Sequence, residues 1–164
     1  MAPEPVATET VKTPHLRPVP ARIVLERTGC MGLCPSYTVT ILGNGTIEWI
    51  GEANVAAIGT RAGAATRTQL EQLSRMIDKA RFFDLDESGH IPVKPACVRT
   101  GNTVSCSISS FSMCTDTSHA IITITRGQRT HQIDDAHCFD QPTALVELED
   151  FIDEVAKTDA WVGR

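Results

Sequence analysis

Residues 36–50 read SYTVTILGNGTIEWI, and this stretch decides the fold. Tyr37, Val39 and Ile41 alternate with Thr38 and Thr40, the period-2 pattern of a strand with one buried face. Gly43-Asn44-Gly45 interrupts the pattern with residues that tolerate positive φ. Ile47 and Trp49 resume it, which predicts a second strand returning antiparallel to the first. Asn44-Gly45-Thr46 also satisfies the N-glycosylation sequon, but a tight turn accounts for the same residues. Upstream, residues 22–26 (RIVLE) read as a short strand with Ile23 and Leu25 on one side.

Helical periodicity follows. Residues 68–83 place Leu70, Leu73, Ile77 and Ala80 on one stripe, with Arg75, Asp78 and Lys79 off it. Thr68 and Glu71 have capping-box spacing. Residues 140–157 repeat the same spacings with Leu145, Leu148, Ile152 and Val155, and Pro142 falls in the first turn, where a missing N–H is harmless. Between these helices, residues 84–101 read as irregular, 103–109 as a strand, and 119–125 with 129–133 as a hairpin around Arg126-Gly127-Gln128. Strands then helix, twice, predict an α+β fold. It is a mostly antiparallel sheet with two amphipathic helices on one face, in hairpin–helix–hairpin–helix order. The other face, rich in Thr and Ser, is left for solvent or a partner.

The chain has 164 residues, one domain's worth, with 41% hydrophobic and 21% charged residues. Residues 1–21 hold five prolines among the first twenty and almost no bulky apolar side chain, so they read as a disordered, Pro-rich tether. Residues 22–164 read as a single disulfide-stapled domain. The formal net charge of -5 argues against nucleic acid as a partner. No apolar run approaches ~18 residues, so no transmembrane segment is predicted. The first residues lack the basic start and apolar stretch of a signal peptide. The tether nevertheless has the composition of a segment that follows a removed signal or lipid anchor.

Six cysteines, Cys30, Cys34, Cys97, Cys106, Cys114 and Cys138, are spread through Gly-, Ser- and Thr-rich segments. An even number without paired C-x2-C knuckles favours disulfides over zinc, and hence an oxidising compartment. A Cys30–Cys34 bridge would hold out Met31, Gly32 and Leu33 as a recognition loop beside Tyr37. Cys97–Cys106 and Cys114–Cys138 would staple the irregular stretch to the sheet. The competing reading makes Cys30 and Cys34 thiolate ligands of a metal, completed by His119 and His137. Asp134, Asp135, His137 and Cys138 suggest a thiol nucleophile, but polar residues are expected in a loop before a helix, and an oxidised Cys138 attacks nothing. His15 and His90 read as solvated loop residues. Gly29 and Gly32 precede a strand rather than a helix, which removes the phosphate-cradle reading. Glu147, Glu149, Asp150, Asp153 and Glu154 read as a solvated helix face rather than a glycosidase pair. No cofactor motif and no named reaction emerge.

Residues 27–37, RTGCMGLCPSY, combine a Gly-rich turn, two cysteines four apart, a proline and an aromatic opening a strand. This stretch closely resembles the opening motif of a bacterial family, domain of unknown function 6438. The likeness continues through Gly43-Asn44-Gly45-Thr46, Trp49, Gly51, Gly59, Phe82-Phe83, the last hairpin, the Pro142 helix and Trp161, covering roughly residues 22 to 162. Trp49 stands where that family more often has Tyr, and residues 97–114 are richer in cysteine than its usual pattern. Its members are often small secreted proteins or lipoproteins, so the resemblance implies an extracytoplasmic place, periplasmic, secreted or lipid-anchored. The family has no established activity and implies no mechanism. The architecture is also broadly similar to emfourin-type metallopeptidase inhibitors, a fold-level analogy only. The resulting expectation is a non-catalytic binding module for another extracytoplasmic protein, with a peptidase-inhibitor-like role within it and metal binding through the C-x3-C motif as the alternative.

Overall fold

The computed structural model describes residues 18–92, 95–107, 114–137 and 141–163. Strands β1 (Arg22–Arg27), β2 (Ser36–Leu42), β3 (Thr46–Ala53) and β4 (Gly59–Ala64) form a meander. Helix α1 (Arg67–Lys79) and a 3-10 turn (Phe82–Asp84) follow, then β5 (Ala96–Thr100) and β6 (Thr103–Ser107). The chain continues through β7 (Ala120–Arg126), β8 (Arg129–Asp135), α2 (Thr143–Ala156) and α3 (Asp159–Val162). Six strands make one sheet in the order β4-β3-β2-β1-β7-β8. Every pairing in it is antiparallel. β5 and β6 pair only with each other, as a separate ribbon. The fold is α+β.

Strand alternation sorts the sheet into rows that cross it. One row runs Ile47, Ile41, Ile23, Ile124, and the next runs Trp49, Val39, Leu25, Ile122, Ile133. All of these are buried, together with the helical stripes Leu70-Leu73-Ile77-Ala80 and Leu145-Leu148-Ile152-Val155, in one hydrophobic core. Each large side chain so buried contributes roughly 1.5–3 kcal/mol. The third row is different: Gly51, Tyr37, Arg27, Ala120, Asp135. It carries charge on the inward face, at the end of the sheet where β1 leaves for the cysteine loop.

Trp49 anchors the core beside that row. Its ring stacks on Tyr37 with centroids 5.7 Å apart and leans on Trp161 at 5.3 Å. Gly51 makes this possible: a Cβ there would sit 2.2 Å from the Ala57 carbonyl oxygen and 2.3 Å from the Trp49 ring. The short α3 brings Trp161 into place by backbone bonds from Ala57 N to Trp161 O (2.9 Å) and from Ala56 N to Val162 O (3.1 Å).

Several local expectations are corrected. The capping box is Thr66 with Gln69, not Thr68 with Glu71: the cap lies two residues earlier and the helix starts at Arg67. α1 stops at Lys79 rather than at residue 83, since Arg81 takes the left-handed conformation (φ 52°) and Phe82 starts a 3-10 turn. Pro142 caps α2 from outside the first turn. Residues 84–101 are not wholly irregular, for β5 pairs with β6 there. Residues 59–64 form an unforeseen edge strand; GTRAGA has small or charged side chains and is mostly exposed, so no alternation marks it. Residues 18–21 lead into the sheet: Ala21 N donates to Thr125 O at 2.8 Å, and Pro18 O accepts from Ser74 Oγ at 3.1 Å.

Candidate functional site

The chain leaves β1 at Arg27 and re-enters the sheet at Ser36, and the intervening loop is closed by a disulfide between Cys30 and Cys34, with Cα atoms 5.5 Å apart. Both ends of the loop are tied down. Thr28 N donates to His119 O (3.0 Å) and His119 N donates back to Thr28 Oγ1 (2.9 Å). Asn54 Nδ2 donates to Cys34 O at 3.1 Å. The tip is not packed: Met31 is 83% and Leu33 88% exposed. Two large apolar side chains therefore stand in water on a loop whose base is fixed. Tyr37, expected beside them, is instead buried, with its ring on Trp49.

Beneath the loop lies a groove of about 470 Å³ whose walls include Thr28, Pro35, Tyr37, Asp150, Asp153 and Thr158. Its inner wall is the polar row of the sheet facing α2. Arg27 Nη1 donates to Glu149 Oε2 at 2.9 Å, and its Nη2 donates to Asp153 Oδ2 at 2.9 Å. Tyr37 Oη donates to Asp153 Oδ1 at 2.9 Å. Burial opposes the charge on Arg27, but Asp153 and Glu149 outweigh it and hold the guanidinium firmly protonated. Burial and then Asp153 push the Tyr37 phenol well above its ordinary range, so it stays a donor.

On the far side of Glu149, His137 Nε2 lies 2.8 Å from Glu149 Oε2 and 3.7 Å from Asp135 Oδ2. Asp135 Oδ1 accepts from His137 N at 2.7 Å. The bond to Glu149 raises the His137 pKa, although burial works against it. Burial raises that of Glu149, with His137 and Arg27 opposing. Asp135 Oδ2 and Glu149 Oε1 are buried and have no hydrogen-bond partner among the described residues.

The expectation of a solvated carboxylate face on α2 holds for Glu147, Asp150 and Glu154, which are exposed, and is corrected for Glu149 and Asp153. Glu149 is 1% exposed and Asp153 is engaged by Arg27 and Tyr37. The signal was present. Glu149 follows Leu145 by four and precedes Ile152 by three, which puts it on the apolar stripe. Arg27 continues the inward alternation of Ile23 and Leu25, and Asp135 that of Ile133.

The residues of the metal alternative have other partners. The Cys30 and Cys34 sulfurs are bonded to each other and so are not thiolate ligands. His119 Nδ1 lies 2.6 Å from Asp134 Oδ1, and His137 Nε2 lies 2.8 Å from Glu149 Oε2. Cys97 and Cys106 are bridged across directly opposed positions of β5 and β6, so this bond staples the ribbon to itself rather than to the sheet. Cys114 lies in a disulfide, while Cys138 falls outside the described residues. His90 is not a bare solvated residue: its N–H donates to Asp86 Oδ1 (3.0 Å) and its Nδ1 lies 3.0 Å from Ser88 Oγ. No described helix is long and apolar enough to cross a membrane.

The sheet, the paired helices and the bridged loop define a disulfide-containing α+β domain with a charged groove at one end. The chain belongs to the family Domain of unknown function (DUF6438), whose model matches residues 21–156, as the motif at residues 27–37 anticipates. No curated protein matches it.

Proposed function

We propose that this protein is an extracytoplasmic, non-catalytic recognition module that inserts Met31 and Leu33 into an apolar cleft of a partner protein. The observation that supports it most is the exposure of those two side chains, 83% and 88%, on a loop closed by Cys30–Cys34. Water-exposed Met and Leu gain roughly 1.5–3 kcal/mol each when a partner covers them. A loop fixed at both ends pays little ordering entropy on binding. Asp150 and Glu154 on the groove below suit a cleft with a basic rim. Disulfides fit an oxidising compartment outside the cytoplasm.

The test is a photo-crosslinking amino acid placed at position 33 and, as a control, at Arg99 of the ribbon, in protein made in its native host. The reading expects a discrete adduct from position 33 alone, lost when Met31→Ser is added. No adduct from position 33, or the same adducts from both positions, overturns it. Within this reading the partner's cleft is that of a secreted metallopeptidase, by analogy with emfourin-type inhibitors. Slowing of such a peptidase by micromolar protein, relieved by Met31→Ser with Leu33→Ser, is the expected result; a panel of these enzymes left unaffected removes the inhibitor role.

A further inference from the structure

We propose that Asp135, His137 and Glu149 form a binding site for a divalent metal ion of the zinc class, separate from the cysteines. Among the described residues, each of these three offers a ligand atom, and the three atoms lie within 4.8 Å of one another. Bonds of about 2.1 Å in a tetrahedron set donor atoms roughly 3.4 Å apart. The 3.7 Å from His137 Nε2 to Asp135 Oδ2 already has that scale, and the 2.8 Å to Glu149 Oε2 needs only a small opening.

The hydrogen bonding of the two carboxylates points the same way. Each has one oxygen held and one left over. Asp135 Oδ1 is held by the His137 amide, and Oδ2 is buried without a hydrogen-bond partner among the described residues. Glu149 Oε2 is held by Arg27 and His137, and Oε1 is buried without one. The side chains are 0% and 1% exposed. A buried carboxylate oxygen with no donor is costly, and a cation removes that cost. Charge agrees: Glu149, Asp150 and Asp153 lie within 4.0 Å of the Arg27 guanidinium and Asp135 lies beside His137, so four carboxylates meet one guanidinium and one imidazole. Arg27 then acts as an outer partner that orients Glu149.

One imidazole nitrogen with two carboxylates suits zinc better than calcium or magnesium, which favour oxygen alone. Three protein ligands leave a position for water. The His119–Asp134 pair is the competitor, with one carboxylate and both side chains substantially exposed.

The experiment titrates the chelator-stripped full chain, disulfides intact, with Zn²⁺ by calorimetry. The site predicts one equivalent bound at micromolar Kd or tighter, weakened at least 100-fold in His137→Ala and changed less than threefold in His119→Ala. Asp135→Asn provides a second variant if the first is misfolded by circular dichroism. Co²⁺ loading predicts d–d bands without a sulfur-to-cobalt charge-transfer band. Substoichiometric zinc at 100 µM, binding that survives His137→Ala and Asp135→Asn in folded protein, or a sulfur-to-cobalt band each overturns the proposal.

Discussion

The main sheet and the β5–β6 ribbon are both antiparallel and both sit near a disulfide, yet they are held together by different physics. In the sheet, β1, β2 and β7 bury alternate residues against two helices. In the ribbon every residue of both strands is exposed, including Val98 and Val104. An isolated two-stranded ribbon is marginal in water. The bond between Cys97 and Cys106 supplies by covalency what burial supplies elsewhere. The Cys30–Cys34 bridge belongs with the ribbon in this respect: it shapes an exposed segment that has no core of its own.

Substitutions that probe the two regions separately make the contrast measurable. Trp49→Ala removes the side chain that Tyr37 and Trp161 pack on, and chemical denaturation will show a loss of about 3–5 kcal/mol. Val98→Ala, in the ribbon, will change stability by less than about 0.5 kcal/mol in the same assay. Equal losses at the two positions would erase the distinction.

Arg27→Met tests the polar end of the core. It leaves Glu149 and Asp153 facing an apolar side chain, and removing one partner of a buried pair costs about 3 kcal/mol or more. Denaturation at pH 7 is the readout. A neutral result would mean that the charged row contributes nothing to the fold.

Tyr37 is the chain's one tyrosine, so the rise in absorbance near 295 nm that accompanies tyrosinate formation comes from it alone. Burial and Asp153 raise its folded pKa above the unfolded value near ~10. The neutral phenol's contribution to stability is therefore complete below pH ~10 and is lost as pH rises through the folded value. The phenol will remain un-ionised at pH ~11 and titrate together with unfolding. Asp153→Asn will bring ionisation earlier. Ordinary titration centred near ~10 in folded protein would show that the ring is not held as described.

Only a small effect on the body is expected at the ribbon's crosslink. Cys97→Ser with Cys106→Ser will move the melting temperature of the body by less than about 4 °C, on the order of 1 kcal/mol. The same double variant will make β5 and β6 amides exchange freely.

What could be read from the sequence follows the same division. Leu70, Leu73, Ile77 and Leu145, Leu148, Ile152 announced their helices because one-sided burial imposes a period on apolar residues. Tyr37, Val39 and Ile41 announced β2 for the same reason. Nothing announced β5, since a strand exposed on both faces imposes no period. The Cys30–Cys34 loop was legible from its spacing. The Arg27–Glu149–Asp153 network was not, because charged residues on a helix ordinarily mark its solvent face. Its members are nonetheless in phase with apolar neighbours, and only the pairing of strand and helix shows that they neutralise one another.

Amide hydrogen exchange before and after reduction of the disulfides tests the central claim most directly. The account predicts that β1, β2 and β7 keep their protection after reduction, while β5, β6 and residues 28–35 lose theirs. Simultaneous loss of protection across the sheet and both appendages would contradict it, since the crosslinks would then be holding the body itself.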